Sequence, residues 1–94
     1  MKQLPDDVVA YRRTPTFTET SVPAGLLRRH STKAGVWGLI RVESGTLRYR
    51  ILEPEIEEHE LTPDAPGVVE PEVPHEVEPL GAVQFHVEFH RRGD

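Results

Sequence analysis

Five histidines in a chain without cysteine are the residues best suited to do chemistry here. Disulfides, thiolate metal sites and thiol nucleophiles are excluded, which leaves imidazole as the main ligand, acid or base. His59, inside the acidic run "EPEIEEHE", and His90, near the polar end, read as solvated surface groups. His86 falls opposite the stripe Val83, Phe85, Val87 and Phe89 in "AVQFHVEFH". It reads as structural, turned to solvent, a subunit interface or a covering sheet. His30 and His75 differ, because alternation puts His30 on the face of Leu26 and His75, within "PEVPHEVEP", on the face of Val77. Two neutral imidazoles meeting at a barrel mouth can hold a divalent cation. The alternative is a pair of unrelated core histidines with hydrogen-bonded rings.

The elements that must position them are short strands. "GVWGLIRVESGTLRYRIL" reads as two strands, Val36–Val42 and Thr46–Leu52, joined by a tight turn at Glu43–Ser44–Gly45 where Gly45 supplies a positive φ. Ile40 and Val42 share one face with Val36 and Gly38; Leu47, Tyr49 and Ile51 share another. The segment Ala24–Thr32 reads as a less regular strand carrying Leu26 and His30. "IEEHEL" reads as a polar edge strand whose glutamates discourage edge pairing. Thr62–Gly67 is a turn by composition. Pro71 and Pro74 make "VVEPEVPHEV" an edge strand or two short strands with a kink. Seven or eight strands and no sustained helical period predict an all-β sandwich or small barrel.

Length and charge bound the rest. At 94 residues the chain reads as one domain spanning 1–94, with a core small enough that a homodimer would help it. A net charge of −5, concentrated in two acidic runs, disfavours nucleic acid. The arginine pairs 12–13, 28–29 and 91–92 read as solvated faces. No apolar run approaches the roughly 20 residues a membrane span needs, and "MKQLPDDVVAYRR" lacks a signal-peptide core, so a soluble, cytoplasmic protein is expected. Trp37 alternates out of step with Ile40 and Val42, which places it outside the barrel as a dimer contact.

The pattern "GLIRVESGTLRYRIL … PGVVEPEVPHEVEP … VQFHVEFH" resembles the cupin arrangement, in which a later "P-x-x-P-H" segment delivers a histidine into a jelly-roll barrel. More closely, "LLRRHSTKAGVWGLIRVESGTLRY" followed by "VEPEVPHEVEP" resembles the small cupin-like family of tellurite-resistance-related, TehB N-terminal-like proteins, whose members occur alone or fused ahead of a methyltransferase. The resemblance runs from Tyr11 to Phe89 and is most specific over His30–Gly38. It implies a cupin-like double-stranded β-helix, a jelly-roll small barrel, with His30 and His75 as metal ligands. Two further ligands of that pattern are missing: one falls near Thr32, the other near Gly38. Glu70 is the best local third ligand, completing an open triad of two histidines and a carboxylate for zinc, iron, nickel or manganese. Glu76 or Glu78 would hold an imidazole N–H only if the strand bends. Lys33, on the turn after His30, and the inward-facing Tyr49 are assigned to a small anionic ligand.

Three functional readings follow. The first is a divalent-metal and anion-binding cupin-like domain serving a stress or tellurite-resistance response; the second is a metal-dependent oxygenase or isomerase. The third is a metal-free small-molecule binding or regulatory module. No Ser–His–Asp order, paired-carboxylate spacing or phosphate-cradling loop is present. The chain also lacks the glycine-rich strand-to-helix turn and the length of a nucleotide-binding fold, so methyl transfer is not assigned to it.

Overall fold

Two long strands organise the chain. In the computed structural model, which describes residues 1–93, β3 runs from Trp37 to Ile51 and β6 from His75 to Arg92. They pair antiparallel along nearly their whole lengths, from Trp37↔His90 to Ile51↔His75. Shorter strands extend this ribbon: β1 (Val8–Arg13) and β2 (Phe17–Thr18) pair with β6, whereas β4 (Glu57–Leu61) and β5 (Gly67–Val69) pair with β3. The result is an all-β antiparallel sheet of six strands, in the path β1-β6-β3-β4, that does not close on itself.

The expected hairpin in the middle of β3 is absent, and the alternation explains why it looked like one. Residues of the core cluster occupy even positions before the break, Ile40 and Val42, and odd positions after it, Leu47 and Tyr49. A turn would reverse the chain there; instead an extra residue on β3, between the pairs Val42↔Phe85 and Ser44↔Gln84, switches the inward face while the strand continues. Gly45 does adopt the positive φ, 82°, expected of it, and a side chain there would run into the carbonyl oxygen of Ala82. On β6 the register shifts opposite this point, and Gly81 also has a positive φ.

The irregular centre divides the ribbon into halves whose inner faces form one core. Ile40, Val42, Phe85 and Val87 come from one half and Leu47, Tyr49, Val77 and Leu61 from the other; Phe85 and Leu47 are fully buried. The radius of gyration, 12.4 Å, matches the roughly 12 Å of a fully compact chain of this length, so the open sheet is folded onto itself. The outward faces carry the acidic runs. Arg48 and Arg50 on β3 reach across to Glu58 on β4 and to Glu76 and Glu78 on β6, at 2.8–3.6 Å. Exposed pairs of this kind contribute about 0–1 kcal/mol each and serve mainly to neutralise the acidic strands.

Several expected elements are present: the polar edge strand is β4, Thr62–Ala65 closes the predicted turn, and the double-proline segment separates β5 from β6. Ala24–Thr32 is not a strand. It holds a 3₁₀ turn, Ala24–Leu27, started by Pro23, and touches the sheet by one bridge at His30. Trp37 is half-buried on the face opposite the core. Among the described residues, no helix is long and apolar enough to cross a membrane.

Candidate functional site

The bridge at His30 is what assembles the site. His30 N–H donates to the His75 carbonyl and His75 N–H to the His30 carbonyl, both at 2.8 Å, so the two residues sit directly opposite each other. Their rings meet edge to face, with centroids 5.4 Å apart and planes at 88°. The convergence expected from two positions far apart in sequence is therefore met, through backbone pairing.

The surroundings fix the state of His75. Its Nδ1–H donates to the Val73 carbonyl at 3.2 Å, and the Tyr49 ring lies edge-on at 5.8 Å. Burial pushes its pKa below the ordinary value; the His30 ring acts the same way, and the Val73 bond opposes both. His75 is thus a neutral imidazole at neutral pH. The Nδ1 of His30 is buried and has no hydrogen-bond partner among the described residues.

Beside the pair lies an apolar cleft of about 260 Å³. Ile40 and Gly38 from β3, Val69 from β5, and Val77, Phe85, Val87 and Phe89 from β6 form its walls, with Phe17 and Leu26 closing one side. Gly38 matters because a Cβ there would come within 3.1 Å of the Val69 Cβ. The missing glutamate of the cupin pattern falls near this position, where a side chain would crowd the floor of the cleft.

The metal assignment does not survive this geometry. Among the described residues no group of three or more His, Asp or Glu side chains is placed to hold an ion. Glu70 lies 3.8 Å from Lys2 Nζ and, with Tyr49, lines a different hollow next to Met1. The His75 Nδ1–H donates to a carbonyl, which leaves Nε2 as the one ring nitrogen it could offer. Two rings set edge to face, with no third donor, make a poor fit for zinc, iron, nickel or manganese. The metal-binding cupin function, and with it the metal cofactor, is corrected accordingly.

The remaining assigned residues divide. Lys33 lines a second hollow that shares Thr14, His30, Thr32 and Phe89 with the cleft. Tyr49 is buried, donates its hydroxyl to the Val68 carbonyl at 2.8 Å, and burial followed by the nearby Glu70 and Glu57 charges pushes its pKa far up. His59 and His90 lie against Glu57 and Glu88. His86 is buried on the outer face, its Nδ1 2.6 Å from Glu43 Oε2, and that bond, with one from Thr16, holds the Glu43 carboxyl below its usual range. Sequence reasoning missed Thr14 and Phe17, because nothing in "TPTFTE" alternates long enough to mark an inward face. It also read Arg12 only as part of a solvated pair, although Arg12 lines the second hollow.

Fold and site together define a small open antiparallel β-domain with a two-histidine apolar cleft. The TehB-like domain family matches residues 12–87, and the chain belongs to that family. It is 33% identical over 79 residues to the probable S-adenosyl-L-methionine-dependent methyltransferase TehB of Haemophilus influenzae strain Rd, and 30% identical to the same protein of strain 10810. Each match takes in 80% of this chain but only 28% of the relative, so the chain spans less than a third of these relatives' length. The crystal structure of TehB from H. influenzae superposes with a TM-score of 0.85 at 29% identity, covering 93% of this chain and 32% of that one. A protein from Escherichia coli K12 matches over the full length of both chains with a TM-score of 0.89; at 24% identity it speaks for the fold alone. The relatives' names specify S-adenosyl-L-methionine.

Proposed function

We propose that this chain is the ligand-binding module of a TehB-type methyl-transfer system. It holds a small molecule with an apolar body in the cleft and leaves S-adenosyl-L-methionine and methyl transfer to a separate catalytic unit. The observation that carries this reading is the apolar cleft of about 260 Å³ beside the paired His30 and His75, which is small for a ligand pocket and lined almost wholly by carbon. Supporting the division of labour, the described residues contain no parallel sheet flanked by helices, the setting in which nucleotide-type cofactors are usually bound. The family's association with tellurite resistance enters as part of the proposal, as does a cytoplasmic site of action.

Calorimetry tests the reading. Benzamide, as a small apolar probe, should bind saturably, and Leu26→Trp, which fills the cleft from the 3₁₀ turn, should abolish the heat. S-adenosyl-L-methionine should give no saturable heat. Binding of that cofactor, or benzamide binding indifferent to Leu26→Trp, overturns the proposal.

The cupin-type jelly-roll is supported by the mid-strand irregularities in β3 and β6 and by the way their halves share one core. A homodimer is supported by the open edge strand β1, which exposes Val9 and Tyr11. Light scattering should then give twice the chain mass, and a monomer at high concentration would remove that part.

A further inference from the structure

Charge is distributed unevenly around the cleft mouth. Of the eleven lysines and arginines, seven lie within ion-pair distance of a carboxylate: Lys2, Arg13, Arg29, Arg41, Arg48, Arg50 and Arg92. Arg12 and Lys33 have no such partner among the described residues, and both line the second hollow, of about 380 Å³. Tyr11 lines it as well, with the guanidinium of Arg91 4.2 Å from its ring centroid. Although the chain has sixteen acidic residues, none of those among the described residues lines this hollow. The segregation matters because the acidic field elsewhere would repel an anion, whereas here two cations without a carboxylate partner among the described residues line a hollow that shares Thr14, His30, Thr32 and Phe89 with the carbon-lined cleft. His30, common to both hollows, adds a buried Nδ1 with no partner among the described residues.

We infer that the ligand of this domain is a small organic monoanion, with its apolar body in the cleft and its anionic group at the mouth between Arg12 and Lys33. The inference rests on the cleft reading above and adds the charge and the orientation of the ligand. A compact inorganic anion would leave the apolar walls unused. A purely apolar molecule would leave the cations without a counter-charge.

Matched probes separate the terms. Titrating the chain at low salt with benzoate against benzamide, and hexanoate against hexanamide, should show each carboxylate binding about tenfold tighter than its amide. The double variant Arg12→Ala/Lys33→Ala should bring the two within about twofold of each other, and added salt should do so partially. Arg28→Ala, another cation without a carboxylate partner but outside both hollows, should keep the full preference. Equal binding of carboxylate and amide in the unmodified chain overturns the anionic inference and leaves the cleft reading standing. A preference that survives the double variant overturns the placement of the anion. Failure of every probe to bind removes both readings.

Discussion

His30 and His75 are brought together by two backbone hydrogen bonds, and the consequence for His75 is a titration that can be read as stability. An unfolded histidine takes up a proton near its ordinary value of 6.5, whereas burial and the neighbouring His30 hold the folded His75 neutral to lower pH. The unfolded chain therefore binds more protons below that value. Stability should be complete above about pH 6.5 and decline as the pH falls toward the depressed folded value. Glu43 and Glu57 are held below their ordinary 4.5 by partners and lose their contributions only in more acid solution, which keeps the windows apart. Urea midpoints measured between about pH 7.5 and pH 5 should fall, and His75→Gln should flatten that fall. The same slope in the variant would assign the effect to another group.

At the scale of elements, the break in β3 is the most informative failure. The shift of apolar residues from even to odd positions, between Val42 and Leu47, was legible, and so was the need for a positive φ at Gly45. A hairpin turn and a bulge satisfy both conditions equally, and only the partner strand decides between them. Here β6 runs unbroken past both halves, so the bulge wins. Gly45→Ala should accordingly lower stability by about 1–3 kcal/mol from backbone strain alone, with more from the overlap with Ala82, read as a drop in the denaturant midpoint. A neutral outcome would mean the strand relaxes around the substitution. The convergence of His30 and His75 was anticipated from their inward parity and the family resemblance, whereas the backbone bridge that pairs them was not. Ala24–Thr32 was misread because Leu26 and His30 share parity by chance, while Pro23 and Gly25 favour a turn. The inward stripe of β6 was fully legible, since Val83, Phe85 and Val87 alternate without interruption and all are buried.

For the whole molecule, the sequence resemblance identified the family and overreached on chemistry. A histidine preceded by "P-x-x-P" marks a fold position and does not by itself bring the remaining metal donors with it; at Gly38 the fold leaves no room for one. What the assembled molecule offers instead is carbon-lined space between the two halves of an open sheet, beside the paired His30 and His75 rings and next to a hollow lined by Arg12 and Lys33. The chain spans only 28% of the length of the TehB relatives it matches. The most direct test is to map a bound probe by NMR on the isotopically labelled chain, following the Leu26, Val69 and Val77 methyl groups and the His30 and His75 rings during a benzamide titration. The account predicts that these signals shift together along one saturable curve, with the outer-face His86 ring unmoved. Shifts confined to the outer face, or no saturation at the cleft, would contradict it.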